Sequence, residues 1–365
     1  MQLGSDFELS KVMQEAVENA LHQRGRVNVL IAGKTGVGKS TLINAVFQGN
    51  LATTGQGRPV TTDIRQITKQ DIPVTIFDTV GLEIIKAHET MEEIETFVVE
   101  RSKNVDPKEH IHVGWVCIAE DSRRVEDAEV ELTNMLAKYM PVVVIITKAR
   151  SDGGFASVVQ RLLPQAANVV RVRALRETFD DGYVIPPMGL VDLVDLTMEV
   201  VPEGQKNALA AAQKVDLKHK VSRSRGIVVS AAATAGTAGA IPIPFADAAV
   251  IVPTQIGMLA GISATFGIPV TSAFLGTLLS GALTGTGGTI GGRLIASELL
   301  KLIPGVGTVI GGVINAGTAM ALTTAFGEAY ISVLHYLISS GEEMPSSEQI
   351  AEAFKQKLAA SPLME

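Results

Sequence analysis

The stretch that decides the fold is Gly33-Lys34-Thr35-Gly36-Val37-Gly38-Lys39-Ser40, which follows the apolar run 27–32. Its glycines let the backbone curl so that successive amide groups point inward at phosphate oxygens. A helix beginning near Lys39 adds the positive end of its dipole, and the Lys39 ammonium supplies a mobile cation. The Ser40 hydroxyl is a suitable ligand for magnesium. The stretch therefore predicts a loop that binds the phosphates of a nucleoside triphosphate together with Mg²⁺.

A second motif, Asp78-Thr79-Val80-Gly81, follows the apolar run 74–77. An aspartate at the end of a buried strand beside the phosphate loop (residues 33–40) is placed to hold the magnesium shell through water. The glycine that follows is placed to offer its backbone amide to the γ-phosphate. The position of the motif predicts that Asp78 organises magnesium and that Gly81 senses the γ-phosphate.

The segment 57–63 lies between these two motifs and contains two adjacent threonines. A threonine there reaches magnesium only while the γ-phosphate is present, which makes the segment a switch. Thr61 is the first choice for the magnesium ligand and Thr62 the second. The alternative is a simple polar loop, and the position between the two motifs favours the switch.

Hydrophobic patterning divides the chain into an α/β part and an apolar part. Short apolar runs alternate with helical patterns up to residue 202, which predicts a doubly wound, mostly parallel sheet. Few charges occur from residue 226 to residue 340, which predicts an all-helical apolar domain. The predicted organisation is an amphipathic helix over 1–25, an α/β domain over 26–202 and a helical domain over 203–365. The only formal charges within 226–340 are Asp247, Arg293, Glu298, Lys301 and Glu328.

Charge and cysteine content exclude some classes of protein. The formal net charge of −7 and the lack of a Lys/Arg run argue against a protein that binds nucleic acid through phosphate contacts. The single cysteine, Cys117, allows no intramolecular disulfide and fits a reducing compartment. The polar beginning of the chain does not resemble a signal peptide, so a cytoplasmic location is expected.

The two motifs, in this order, resemble those of the translation-factor-related P-loop GTPases. The phosphate loop and the Thr-Leu-Ile-Asn that follows are most similar to the septin, chloroplast-import-receptor and immunity-related branches. The resemblance covers residues 27–175. It implies a G domain that binds GTP and GDP with Mg²⁺.

The expected guanine-recognition motif of these GTPases, Asn/Thr-Lys-x-Asp, is only partly present. Thr147 and Lys148 match its first two positions, but Arg150 occupies the place of the aspartate. An arginine cannot accept the two hydrogen bonds that the guanine edge donates. Asp152 is expected to substitute if the loop bulges, and the amide of Ala174 is expected to meet the guanine oxygen. The resemblance favours guanine over adenine.

Hydrolysis by an isolated copy is expected to be slow. Leu82 follows Gly81 where some GTPases carry a glutamine that orients the attacking water, and a leucine cannot do so. Gly36 stands where potassium-activated relatives carry an asparagine, so potassium activation is not expected. The resemblance implies help from a partner or from a nucleotide-dependent homodimer.

The predicted site residues fall into three groups that overlap. Those predicted to act in hydrolysis are Lys39, Thr61 and Gly81. Those predicted to hold magnesium are Ser40, Thr61, Thr62 and Asp78. Those predicted to bind the nucleotide are Gly33, Thr35, Gly36, Val37, Gly38, Lys39, Ser40, Thr41, Thr147, Lys148, Asp152, Ala174 and Leu175.

The apolar part leaves two alternatives open, a soluble helical domain and one that inserts into or lies on a membrane. The charge-free runs 302–326 and 248–279 are long enough to favour a membrane. Dilution by Ala, Gly and Thr and the absence of flanking Trp disfavour insertion. Segments 240–247 and 255–258 resemble an uncharacterised helical domain of membrane-associated bacterial GTPases.

Together these features imply a switch GTPase at a membrane surface, in the manner of dynamin-like and immunity-related GTPases. Two alternatives remain: a nucleotide-binding scaffold with negligible turnover, and a soluble regulatory GTPase without a membrane role.

Overall fold

The computed structural model describes residues 9–61, 63–79, 87–238, 246–283, 316–340 and 344–360. The chain divides into two compact units. The α/β unit comprises Gly25–Asp216, and the helical unit comprises Met1–Arg24 with Leu217–Glu365. The α/β unit therefore extends past the predicted boundary at 202, and the N-terminal helix belongs to the helical unit.

Within the described ranges, the strands have the following bounds: β1 Val27–Gly33, β2 Gln56–Pro59, β3 Ile64–Thr68, β4 Val74–Thr79, β5 Val113–Ala119, β6 Val142–Thr147, β7 Asn168–Arg171, β8 Glu177–Thr178 and β9 Val184–Ile185. The helices there have these bounds: α1 Leu9–Arg24, α2 Lys39–Val46, α3 Leu51–Thr54, α4 Ala87–Ser102, α5 Asp127–Leu136, α6 Phe155–Leu162, α7 Leu190–Val200, α8 Glu203–Ala212, α9 Leu217–Ala238, α10 Ala246–Phe266, α11 Ser272–Leu283, α12 Ala316–Ser340 and α13 Ser347–Ala359.

The main sheet has seven strands in the order β2-β3-β4-β1-β5-β6-β7. β1 pairs in parallel with β4 and β5, and the parallel pairing continues through β6 to β7. β2 and β3 add an antiparallel edge. The doubly wound, mostly parallel sheet expected from the sequence is confirmed. The carboxyl ends of β1, β4, β5 and β6 therefore lie along one edge, where ligands of such sheets bind.

Apolar cores cover both faces of the sheet, and β1 is therefore buried along its whole length. Val27, Val29 and Ile31 face a core shared with α2, α7 and α8, whereas Leu30 and Ala32 face a core shared with α4, α5 and α6. This alternation is the period of two that a strand imposes. Leu209 of α8 is buried in the first core, which explains why the α/β unit continues to Asp216.

The helical unit packs α9 against α10 and α12, and α1 against α10. A Cβ on Gly327 would lie 2.5 Å from Cγ2 of Val228, so this glycine permits the close approach of α9 and α12. The buried Lys220 ammonium donates to the Phe266 carbonyl at 3.1 Å, and burial lowers the pKa of Lys220 to about 7.

Over the ranges that the structure describes, no helix has the length and apolar character needed to cross a bilayer. Most of the predicted run 302–326 lies outside those ranges.

Candidate nucleotide-binding site

The phosphate loop connects the last residue of β1 to the first residue of α2. Gly33, Gly36 and Gly38 have φ angles of 145°, 75° and 103°, in the region that favours glycine. A Cβ on Gly33 would lie 2.5 Å from the Cys117 carbonyl oxygen, whereas no atom of the described residues lies within 4 Å of a Cβ on Gly36 or Gly38. Gly33 is therefore required for packing, and the other two leave open space along the loop for a ligand to approach the backbone.

Lys39 folds back over the loop that precedes it. Its ammonium donates to the carbonyl oxygens of Gly33 at 2.7 Å and of Lys34 at 3.2 Å. Lys34 forms an ion pair with Glu126 at the beginning of α5. The hydrogen bond from Lys34 lowers the pKa of Glu126. The Lys39 ammonium is thus already present at the loop. Phosphate oxygens would replace the two carbonyl oxygens as its hydrogen-bond acceptors.

Asp78 lies beside the phosphate loop because β4 pairs with β1, with Asp78 opposite Ile31. Its Oδ1 atom is buried, and no described residue gives it a hydrogen-bond partner. Burial raises the pKa of Asp78, and the positive charges of Lys39 and Arg65 oppose that rise. A buried oxygen without a donor is costly unless a ligand satisfies it. The hydroxyl of Ser40, in the first turn of α2, is a second oxygen of the kind that Mg²⁺ prefers.

Thr61 lies in the turn between β2 and β3. Its amide donates to the Ile64 carbonyl at 3.3 Å, and its hydroxyl accepts a hydrogen bond from the Asp63 amide at 3.2 Å. The Thr90 hydroxyl in turn donates to Asp63 Oδ2 at 2.6 Å. The Thr61 hydroxyl thus has a local partner, and its role as a magnesium ligand stays a prediction. Thr62 and Gly81 lie outside the described residues.

A cavity of about 160 Å³ adjoins the phosphate loop and is lined in part by residues of that loop and of α2. We call it the base cavity. It brings together seven of the predicted nucleotide-binding residues, Thr147 among them. The residues that line it are Val37, Gly38, Thr41, Leu42, Thr147, Lys148, Val172, Arg173, Ala174, Leu175 and Glu177. A second cavity of about 200 Å³ shares Val37 and Lys148 with it and also reaches Thr35 and Gly36.

The comparisons with known proteins agree with this geometry. Residues 28–148 match the family model described as 50S ribosome-binding GTPase. The α/β unit is a P-loop GTPase domain.

Relatives of this GTPase domain are distant. The chain is 22% identical over 220 residues to the tRNA modification GTPase MnmE of Alkaliphilus metalliredigens, covering 60% of this chain and 43% of the relative. It is 28% identical to MnmE of Paracidovorax citrulli, covering 57% and 44%. It is 23% identical to human Septin-9, covering 39% and 28%. The chain thus spans less than half the length of these curated relatives.

The chain also resembles the crystal structure of a probable GTP-binding protein engB, at 16% identity and a TM-score of 0.31. That match covers 47% of this chain and 97% of the other.

Within the GTPase domain, Thr147 and Asp152 have structural partners. The buried Thr147 hydroxyl donates to the Val37 carbonyl at 2.7 Å and so joins β6 to the phosphate loop. The Asp152 carboxylate accepts hydrogen bonds from the amides of Ala156 at 2.9 Å and Gly154 at 3.2 Å, which caps the beginning of α6. Asp152 does not line the base cavity. The structure therefore does not bring Asp152 to the place where the missing aspartate was expected.

Glu120 is a buried residue of this edge that sequence reasoning missed. Its carboxylate accepts hydrogen bonds from the amides of Arg150 at 2.5 Å and Ser151 at 2.9 Å, and from Arg171 Nε at 2.7 Å. Burial alone would raise the pKa of Glu120, but these donors outweigh it and lower the pKa. Glu120 thereby fixes the loop that follows Lys148. The only signal in the sequence was a carboxylate directly after the apolar strand β5.

The backbone around the base cavity is fixed by Lys148 and Arg173. Lys148 has a positive φ of 53°, which is uncommon for a residue other than glycine and marks a locally constrained backbone. The buried Arg173 side chain donates to the carbonyl oxygens of Ala149 at 2.6 Å and Pro186 at 2.7 Å. These contacts hold the segment of Ala174 and Leu175 next to Lys148 before any ligand binds.

Proposed function

We propose that this chain binds GTP with Mg²⁺ through residues 33–40 and hydrolyses it slowly to GDP. The observation that carries the proposal is the buried Oδ1 of Asp78, which has no hydrogen-bond partner within the described ranges, beside a loop that already holds the Lys39 ammonium. Magnesium, when bound, neutralises charge on the β- and γ-phosphate oxygens.

In this proposal Lys39 contacts the β- and γ-phosphates, while Ser40 and Asp78 hold Mg²⁺. Thr61 or Thr62, with Gly81, senses the γ-phosphate and so distinguishes GTP from GDP. The base lies against Lys148, Ala174 and Leu175, which line one cavity with the beginning of α2.

The proposed rate is low because the position after Gly81 is Leu82, whose side chain cannot orient water. Catalysis then needs a group from elsewhere, and a nucleotide-dependent homodimer is the proposed source. A second candidate function follows from the same observation: a scaffold that binds nucleotide with negligible turnover.

For the helical unit we propose peripheral association with the cytoplasmic face of a membrane, or self-assembly, in response to the bound nucleotide. Support comes from the scarcity of charge in 226–340 and from large apolar side chains that are exposed there. Val229 of α9 and Tyr336 of α12 are 68% and 67% exposed. Exposed apolar groups of this size are typical of contact surfaces when they are contiguous.

The experiment is phosphate release from GTP at several protein concentrations, with and without vesicles of phosphatidylethanolamine and phosphatidylglycerol. Lys39→Ala is the control for contaminating activity. Release per molecule that rises with protein concentration or with vesicles supports the assisted switch. A fast rate that is independent of both contradicts the slow, assisted reaction. Release no higher than that of K39A, with GTP still bound by the wild type, favours the scaffold.

A further inference from the structure

The base cavity contains one carboxylate. Among the residues that line it, all of which the structure describes, Glu177 alone carries a negative charge. Arg150, which replaces the aspartate expected after Lys148, contacts this same residue. The Arg150 Nε atom donates to Glu177 Oε2 at 2.8 Å, and Nη2 lies 2.7 Å from that oxygen. The negative charge that is missing from the loop after Lys148 is therefore present on Glu177 of β8.

The Glu177 carboxylate keeps acceptor capacity for a ligand. Both contacts from Arg150 go to Oε2, and no contact to Oε1 occurs among the described residues. The side chain is 25% exposed, so it is accessible from the cavity without being freely solvated. A carboxylate has about four lone-pair sites on its two oxygens. Arg150 contacts only Oε2, which leaves the sites on Oε1 for a ligand.

The position of Glu177 is fixed by three sets of contacts. It lies in β8, which pairs with β9, opposite Ile185. The buried Arg173 joins the segment before β8 to Ala149 and to Pro186 after β9. The Arg150 guanidinium also lies 5.7 Å from the ring centroid of Phe179, just beyond β8. A preorganised acceptor binds its ligand better than a flexible one, because less side-chain entropy is lost on binding.

We propose that Glu177, held by Arg150, is the acceptor that recognises the guanine edge. Its carboxylate accepts the N1–H and the 2-amino group of the base. This inference rests on the proposed function, because it concerns the base of the nucleotide held by the phosphate loop. The pair Arg150–Glu177 thus takes the place of the single aspartate of the expected motif.

The hydrogen-bonding chemistry predicts which bases are rejected. Adenine has a hydrogen-bond acceptor at N1. That atom and the Glu177 carboxylate would face each other with no hydrogen to form a bond. Xanthine keeps N1–H but carries an oxygen at position 2, which the carboxylate repels. A site built to pair donors with a carboxylate rejects analogues that leave it unpaired. A glutamine in place of Glu177 would accept from N1–H and donate to the 2-oxo group, so it would favour xanthine.

The alternative is a structural ion pair. Exposed pairs of arginine and carboxylate contribute little to stability, about 0–1 kcal/mol. In that case the charge of Glu177 would not affect the choice of base.

The test is isothermal titration of the full chain with GDP, XDP and ADP in the presence of Mg²⁺. The variants are Glu177→Gln, Glu177→Ala and the control Asp180→Asn, which makes the same charge change at an exposed position of the hairpin between β8 and β9. We expect the wild type and D180N to prefer GDP. We expect E177Q to lose at least about tenfold in GDP affinity and to gain affinity for XDP. E177A should lose GDP affinity without gaining XDP.

Asp152→Asn distinguishes the two carboxylates, because asparagine caps α6 as well as aspartate does. An unchanged GDP:XDP ratio in E177Q overturns the proposal, and so does a reversal of that ratio in D152N. Either result leaves the proposed function intact if the wild type still binds GDP. A wild type that binds none of the three nucleotides overturns both. Urea unfolding followed by the fluorescence of Trp115 verifies that each variant is folded.

Discussion

At the scale of single residues, the site depends on charges that are paired in different ways. Lys39 is held by carbonyl oxygens that a phosphate can replace, whereas one oxygen of Asp78 has no hydrogen-bond partner in the part of the chain that the structure describes. Glu120 is fully paired: it binds the backbone of the loop after Lys148 and the side chain of Arg171. The first two residues are prepared for ligands, and Glu120 holds the loop that follows Lys148.

The pairing of Glu120 predicts a dependence of stability on pH. Its folded pKa is lowered below the ordinary value of 4.5, so its stabilisation is fully present above pH 4.5 and is lost as the pH falls through the folded pKa. Glu120→Gln should reduce the free energy of unfolding by about 1.5–3 kcal/mol at pH 7, because hydrogen bonds to a charged group are lost. The difference from the wild type should shrink below pH 4.5.

Trp115 makes the measurement specific to one unit. It is the single tryptophan of the chain, is fully buried, and donates to the Thr197 hydroxyl at 3.2 Å within the α/β unit. Urea titrations followed by its fluorescence therefore report the unfolding of that unit. A difference between wild type and E120Q that stays the same from pH 7 to pH 3 would contradict the role of the Glu120 charge.

The position of the phosphate loop was predictable from the sequence because its glycines, lysine and serine lie close together along the chain. The structure places them between β1 and α2, and their roles in binding nucleotide stay predictions. The residues around the base cavity could not all be predicted in this way. Asp152 was chosen by its nearness along the chain, but it caps α6. Glu177 reaches the cavity through a hairpin and an ion pair with Arg150, which no local spacing reveals.

At the scale of elements, the junction of β1 and α2 determines the site. The strand is buried along its whole length, including its last residue, Gly33. Gly33 pairs with Cys117 of β5, and it must be glycine because the neighbouring carbonyl leaves no room for a Cβ. Gly38 precedes α2 and has a left-handed conformation, but the space around it is open.

This contrast predicts different costs for two alanine substitutions. Gly33→Ala should destabilise the α/β unit by about 3 kcal/mol or more, since it combines overpacking with backbone strain. Gly38→Ala should cost about 1–2 kcal/mol, because only the strain remains. Both values are measured by urea unfolding without nucleotide. A cost for G38A equal to that of G33A would contradict the packing argument.

The order of strands and helices was predictable because buried parallel strands have apolar runs that differ in length and period from helices. The boundary at 202 was placed at the Pro202-Glu203-Gly204 break. The structure continues past it, because α8 packs in the sheet's core and the Lys214 amide donates to the Val46 carbonyl at 2.9 Å. Composition identified the apolar part but carried no information about which unit α8 and α1 join.

At the scale of the whole molecule, the chain combines a GTPase domain with a helical unit that contains the charge-poor stretch 226–340. The charges of the nucleotide site, the apolar cores on both faces of its sheet and the match over residues 28–148 all lie in the α/β unit. The account of function therefore depends first on nucleotide binding there, and only then on what the helical unit does in response.

The most direct test of the central claim is isothermal titration of the full chain with GTP in the presence and absence of Mg²⁺, with Lys39→Ala as the comparison. The account predicts one saturable site per chain, stronger binding with Mg²⁺, and a loss of at least about tenfold in affinity in K39A, which removes a charged donor to the phosphates. Trp115 fluorescence should confirm that K39A is folded. Absence of GTP binding by the wild type, or equal binding by folded K39A, would contradict the account.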